Sequence, residues 1–238
     1  MKNIAVILAG GIGTRMGISI PKQFLMINEK PVIIHTIEKF SIHKNIDSIL
    51  IVCEENWIPY LKNLLDKYRV EKVNWIISGG TTGHDSTRNA IFFLRKYLED
   101  EDFVIIHDAA RPILPKIAID EMLKVAYSKG NASLAIPCHE TVIYTEDQKS
   151  GNKELDRNRL MRVQTPQTYK YSLILPWYEK AELEDKHDFV YADIVGVYYG
   201  ATIYFSKGFI NNIKITRKED VILCESLLKM TDKQLFSD

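Results

Sequence analysis

Two short segments hold the residues best suited to chemistry on a phosphate. In the first, Leu8-Ala9-Gly10-Gly11-Ile12-Gly13-Thr14-Arg15-Met16-Gly17 runs on to Pro21-Lys22-Gln23-Phe24. Glycines at 10, 11 and 13 let backbone N–H groups close around phosphate oxygens, while Arg15 and Lys22 add mobile positive charge. The spacing is not a dinucleotide fingerprint, because Met16 stands where the third glycine would follow Gly11 and Gly13. Nor is it a Walker loop, because no Gly-Lys-Ser/Thr closes it. A glycine-rich turn with two solvated cations is the competing reading. The apolar strand before the loop and the two spaced cations after it favour a phosphate cradle.

The second segment, His107-Asp108-Ala109-Ala110-Arg111-Pro112, follows an apolar run, which puts Asp108 at a strand's carboxyl end. A carboxylate beside a triphosphate is repelled unless a hard divalent cation lies between them, so Asp108 is a candidate Mg²⁺ ligand. A structural Asp–Arg pair is the alternative. His107 fits an orienting or buried role better than that of a base. Asn212-Ile213-Lys214-Ile215-Thr216 alternates like a strand with Asn212, Lys214 and Thr216 on one face. Gln164-Thr165-Pro166-Gln167 looks like a polar turn opening the next helix. Neither points to chemistry by itself. Histidines 35, 43, 84, 139 and 187 show no metal-ligand spacing.

The elements that must position these residues alternate. Apolar, β-rich runs at 4–8, 48–52, 73–77, 103–106 and 132–136 suit buried strands. Apolar residues three and four apart predict helices over 31–40, 57–68, 86–98 and 116–128, the first with Pro31 at its start. The order β-α-β-α predicts an α/β fold, a mainly parallel, doubly wound sheet with helices on both faces and its ligand crevice beyond the carboxyl ends of the strands. Residues 10–22, 79–88 and 107–112 fall at such ends. The pattern breaks over 140–162, where an alternating run, a polar turn and a charged stretch predict a protruding hairpin.

The 238 residues suit one domain, and 31 basic against 31 acidic residues leave no global field to attract nucleic acid or an anionic membrane. The aromatic residues Trp57, Trp75, Trp177 and Tyr198-Tyr199 are not interleaved with a basic stripe, which further disfavours nucleic acid. Cys53, Cys138 and Cys224 are few, odd in number and widely spaced, which fits a reducing cytosol rather than a disulfide framework or structural zinc. No apolar run reaches the roughly 18 to 20 residues that span a bilayer.

Taken together, the glycine loop with Arg15 and Lys22, residues 107–112, Gln164 to Gln167 and Asn212 to Thr216 resemble the cytidylyltransferases that act on 2-C-methylerythritol 4-phosphate and on ribitol 5-phosphate. The resemblance runs from about residue 3 to about residue 230. It implies a Rossmann-like nucleotidyltransferase fold, a divalent cation such as Mg²⁺, and a homodimer in which the β-arm, residues 140–162, reaches the neighbour's active site; the cytoplasmic reading rests on the cysteines. Arg15 and Lys22 would hold the triphosphate and Lys214 would approach the reacting phosphates. Leu8, Ala9, Gly10, Gly11, Gly13 and Thr14 would surround the nucleotide together with Gly80, Ser86, Asp108 and Ala109, with Asp108 also holding the metal. Arg111 would support that loop on the acceptor side. Thr141 and Arg157 from the neighbour's arm, with Thr165, would meet the phosphorylated acceptor.

On the acceptor the residues divide. Asp156-Arg157-Asn158, residues 160–167 and Ala109-Ala110-Arg111 are similar to the methylerythritol enzymes. Leu8-Ala9-Gly10-Gly11, Met16-Gly17-Ile18-Ser19 and residues 31–40 are more similar to the ribitol enzymes of wall and capsule polymers. Tyr191-Ala192-Asp193 also departs from the Thr-Asp pair of the methylerythritol enzymes. The balance leans to ribitol 5-phosphate, with methylerythritol phosphate as the alternative. A non-catalytic nucleotide-binding module on the same fold, or a dinucleotide-dependent oxidoreductase, are rivals from other classes. Retention of Arg15, Lys22, Asp108 and Lys214 together speaks against the former, and Met16 against the latter.

Overall fold

The computed structural model describes residues 1–11 and 20–236. Its centre is a seven-stranded sheet made of β1 (Asn3–Ala9), β4 (Ser48–Cys53), β5 (Val73–Ser78), β6 (Phe103–Asp108), β7 (Asn131–Pro137), β10 (Met161–Lys170) and β11 (Phe205–Lys207). Two small ribbons accompany it: β2 (Met26–Ile27) with β3 (Lys30–Pro31), and β8 (Val142–Tyr144) with β9 (Lys153–Leu155). The helices are α1 (Val32–Ser41), α2 (Ile58–Lys67), α3 (Gly83–Leu94), α4 (Lys116–Lys129), α5 (Tyr171–Leu183), α6 (Ala192–Tyr198), α7 (Lys218–Leu227) and α8 (Asp232–Phe236).

The strand order is β11-β7-β10-β6-β1-β4-β5. Only β10 runs antiparallel to its neighbours; every other pairing in the sheet is parallel. The two-residue period of a strand divides the core. Ala5, Ile7, Ile49, Ile51 and Ile105 face α1, α2 and α4, whereas Ile4, Val6, Leu50, Val52 and Val104 face α3, α5 and α6. From β1 the chain winds outward through β4 to β5, and then returns across the sheet to β6 on the other side of β1. The reversal opens a crevice between β1 and β6, where Leu8 is level with Asp108.

The doubly wound sheet and its five predicted strands are therefore present, but three local expectations need correcting. Helix α3 covers 83–94 rather than 86–98. Its start is a capping box: Thr82 Oγ1 accepts from Asp85 N at 3.0 Å, and Asp85 Oδ2 accepts from Thr82 N at 3.1 Å. Residues 164–167 are not a turn before a helix. They lie inside β10, where the register shifts between Val163 and Gln167 and the Thr165–Pro166 bond is cis, an irregularity at which a proline fits inside a sheet. Residues 212–216 are not a strand either, since among the described residues no neighbouring strand forms a ladder with them. They are an irregular segment held by Ile215 N donating to Ala110 O at 2.9 Å and Asn212 Nδ2 donating to Thr165 O at 2.8 Å.

The predicted hairpin is β8–β9, with Val142 paired to Leu155 and Tyr144 to Lys153. Arg162 and Glu140, 2.8 Å apart, close its base. Among the described residues no helix is long and apolar enough to cross a membrane.

Candidate active site

A cleft of about 330 Å³ opens at the carboxyl edge of the sheet, lined in part by Leu8, Gly10, Gly11, Lys22, Gly80, Ser86, Asp108, Ala109 and Lys214. On one side, β1 ends in the glycine loop. Gln23 pins this loop by donating from Nε2 to Ala9 O at 2.7 Å and to Gly11 O at 3.0 Å. Lys22, in the same short turn as Gln23, lines the cleft. The Ala9 side chain is buried in the core, and its carbonyl accepts from Gln23. Gly13, Thr14 and Arg15 lie outside the described residues.

Helix α3 packs its first turn onto that loop. Ser86 Oγ accepts from Gly80 N at 3.1 Å, and a Cβ added to Gly10 would stand 3.1 Å from the same oxygen. A Cβ on Gly80 would meet Asp85 Cβ at 2.2 Å, so this position must be glycine for the turn to approach the helix. Two glycine segments and a helix N-terminus thus face one space, as binding of an anionic nucleotide requires.

On the other side stands Asp108. Its Oδ1 is 2.8 Å from Lys214 Nζ and its Oδ2 is 3.0 Å from Arg111 Nε. Thr165 Oγ1 accepts from Asp108 N at 3.2 Å. Burial opposes ionisation of Asp108, yet Lys214 and Arg111 together hold its carboxyl well below the usual carboxylate range. Burial likewise opposes the Lys214 ammonium, and Asp108 and the Tyr191 phenol keep it above its ordinary value. The Tyr191 ring centre lies 5.5 Å from Lys214 Nζ. His107 is fully buried, with Nε2 3.0 Å from Arg111 O, and burial pushes it down to about 4. It is a neutral orienting residue, as read from the sequence.

Two residues expected on the acceptor side, Arg111 and Thr165, lie behind Asp108, and Arg111 supports the Asp108 loop as expected. Arg111 does not line the cleft: it sits behind Asp108 and donates from Nη1 to Asn212 O at 2.7 Å, which ties the Asp108 loop to the Lys214 segment. Thr165 is 1% exposed and also stands behind Asp108. Thr141 and Arg157 are exposed on the arm, where Arg157 Nη1 donates to His139 O at 3.0 Å, and neither lines this chain's cleft. Sequence reasoning passed over Gln23, Gln167 and Tyr191. Gln23 and Tyr191 stand next to Lys22 and in the departure at 191–193, and that adjacency was the available signal.

Among the described residues no group of three or more His, Cys, Asp or Glu side chains could hold a metal alone. One carboxylate at a phosphate site nevertheless suits Mg²⁺, which commonly takes one or two carboxylates and completes its shell with phosphate oxygens and water. A cleft with backbone donors and Lys22 on one side and the Asp108–Lys214 pair on the other can hold a triphosphate and stabilise charge that develops on it.

A sequence model of the 2-C-methyl-D-erythritol 4-phosphate cytidylyltransferase family matches residues 3–230. The ribitol-5-phosphate cytidylyltransferase of Lacticaseibacillus paracasei is 38% identical over 227 residues, which is 94% of this chain and 97% of that protein. The 2-C-methyl-D-erythritol 4-phosphate cytidylyltransferase of Clostridium botulinum strain Langeland is 37% identical, over 96% of this chain and 98% of its own length. In structure, the Francisella tularensis 2-C-methyl-D-erythritol 4-phosphate cytidylyltransferase superposes with a TM-score of 0.80 at 23% identity, covering 95% of this chain and all of the other. That likeness supports the fold.

Proposed function

Since this chain belongs to the 2-C-methyl-D-erythritol 4-phosphate cytidylyltransferase family and is a CTP-dependent cytidylyltransferase, we propose that its acceptor is a polyol phosphate, D-ribitol 5-phosphate, and its product a CDP-alcohol with pyrophosphate. The observation that carries the chemistry is the convergence of Lys22, Lys214 and Asp108 on the cleft between β1 and β6. For the acceptor, support comes from the ribitol-enzyme character of Leu8 to Gly11 and from Tyr191 beside Lys214, where methylerythritol enzymes carry a Thr-Asp pair. Methylerythritol phosphate is the second reading, favoured by residues 160–167 and by the nearly equal identity to the Clostridium botulinum enzyme.

The reaction is in-line attack by a phosphate oxygen of the acceptor on the α-phosphorus of CTP. The P–O bond to the β-phosphate breaks and pyrophosphate leaves. No general base is needed, because the attacking phosphate is already ionised; positioning and charge stabilisation carry the catalysis. Lys22 and Lys214 stand where they can neutralise the two anions, each close cation–phosphate pair contributing on the order of 4 kcal/mol at an effective dielectric near 20. Arg15 is proposed to join them on the triphosphate. Asp108 would hold Mg²⁺, which supplies charge neutralisation across the phosphates when bound. Gly80 and Ser86 would border the cytosine.

Thr141 and Arg157 are then read as acting in the neighbour's cleft, which makes the working unit a homodimer exchanging β-arms. Three buried free cysteines suit a reducing compartment, and the enzyme is assigned to the cytoplasm. Pyrophosphate release that requires CTP, acceptor and divalent cation together tests the chemistry. Binding of CTP with no release would favour a non-catalytic module.

A further inference from the structure

Behind the cleft floor, a row of buried polar groups is one proton short in the amide orientation observed, unless a carboxyl supplies it. Gln167 on β10 lines the cleft near Ile106 and Ala192, and its Oε1 lies 3.1 Å from the Tyr169 phenol oxygen. That oxygen is 2.5 Å from Asp193 Oδ1, which also accepts from Ser133 Oγ at 2.7 Å. The Gln167–Tyr169 and Tyr169–Asp193 contacts each need a proton, and the phenol has one. If Asp193 is ionised, the phenol must donate to it. The Gln167 amide then has to turn round, with its NH₂ donating to the phenol and its carbonyl towards the cleft. If Asp193 carries a proton, it donates to Tyr169, Tyr169 donates to Gln167 Oε1, and the amide NH₂ is left for the cleft.

The surroundings decide between these arrangements. Asp193 is 4% exposed, and its Oδ2 is buried with no hydrogen-bond partner. A bare buried oxygen is far costlier on a carboxylate than on a neutral acid. The titratable groups facing Asp193 are the phenols of Tyr169 on β10 and Tyr178 on α5, and no cation among the described residues offsets its charge. Burial accordingly pushes its carboxyl up. Gln167 is level with Ile106 on β6, the strand that ends in Asp108, whereas the Gly80 turn packs on the Gly10 loop at the end of β1, so Gln167 lies on the Asp108 side of the cleft.

We propose that Asp193 is held as a neutral acid and, through Tyr169, fixes the Gln167 amide so that its NH₂ donates to an oxygen of the acceptor alcohol phosphate. Gln167 is the contact residue; Tyr169 and Asp193 position it. The identity of the bound molecule rests on the cytidylyl-transfer reading, whereas the proton on Asp193 does not.

Infrared difference spectra of wild type against D193N at neutral pH read the proton directly. A protonated-carboxyl band present in wild type and absent from D193N is expected; loss of carboxylate bands instead overturns the proposal. In kinetics, Q167L should raise the acceptor KM roughly 2- to 10-fold, the factor for one neutral hydrogen bond, with the CTP KM within about twofold of wild type. Y169F should do the same. D193N, whose amide can donate in place of the acid proton, should keep the acceptor KM within about twofold of wild type and melt near it. An acceptor KM raised as far in folded D193N as in Y169F, or unmoved in Q167L, contradicts the assignment. Should Y169F fail to fold, Q167L and the spectrum still decide. A wild type that turns over no acceptor would defeat the functional reading and leave the infrared test standing.

Discussion

The Lys214 ammonium lies 2.8 Å from Oδ1 of Asp108, so the cation and the carboxylate that face the cleft are bound to each other. A triphosphate entering the cleft would compete with Asp108 for Lys214, which would couple its binding to transfer of Lys214 onto the phosphates. Lys214→Ala should therefore lower kcat by roughly 10²- to 10³-fold, the usual cost of removing a charge-stabilising donor, with a smaller change in CTP affinity. Lys22→Ala should act in the same direction. Steady-state kinetics with each variant checks this, and an unchanged kcat removes that lysine from the reaction.

Gly80 tests the turn that borders the proposed cytosine site. Its added Cβ would lie 2.2 Å from Asp85 Cβ and 3.0 Å from the Asp85 carbonyl carbon, and backbone cannot move aside cheaply. Gly80→Ala should cost about 1–3 kcal/mol of stability and raise the CTP KM. Urea denaturation alongside CTP titration reads both, and a variant matching wild type in each would show that the turn tolerates the displacement.

The arm gives a sharper contrast. Arg157 is exposed and does not line its own chain's cleft, so its loss should leave CTP binding nearly intact. Arg157→Ala should raise the acceptor KM by the loss of a charge-assisted bond worth roughly 1.5–3 kcal/mol. Mixing it with Lys214→Ala should restore activity if subunits exchange arms, since one mixed site then has both residues. Equal losses for CTP and acceptor, with no restoration, would place Arg157 elsewhere.

Acid should weaken the fold through His84. This ring stacks on Tyr178 with centroids 5.1 Å apart, and neither ring nitrogen has a hydrogen-bond partner. Burial lowers its pKa below the ordinary 6.5, although Asp85 acts in the opposite sense. As pH falls through about 6.5 the unfolded chain takes up the proton first, so stability is complete above that value and declines towards the folded-state pKa. The urea midpoint should drop between about pH 7.5 and pH 5.5, and less steeply in His84→Phe. Parallel curves for the two proteins would assign the acid sensitivity to other groups.

What the sequence made legible follows from how local the governing physics is. The continuous apolar runs of β1, β4 and β6 and the glycine run after β1 are local signals, and they located the sheet and the edge that bears the cleft. The Lys214 segment reads as a strand because its apolar residues alternate, but a strand also needs a partner, and Ala110 and Thr165 offer only single bonds. Gln164 to Gln167 carries turn residues, and only the register shift against β7 admits them to a strand. Arg111 and Thr165 were assigned to the acceptor by their place in a motif. Their burial behind Asp108 depends on contacts across 101 and 57 residues of chain, which no local pattern encodes.

The most direct test of the proposed acceptor compares kcat/KM for ribitol 5-phosphate and 2-C-methyl-D-erythritol 4-phosphate, each with CTP and Mg²⁺, by pyrophosphate release. The account predicts faster turnover of ribitol 5-phosphate, with CDP-ribitol as product. Faster turnover of methylerythritol phosphate would contradict it and assign the enzyme to the other branch of its family.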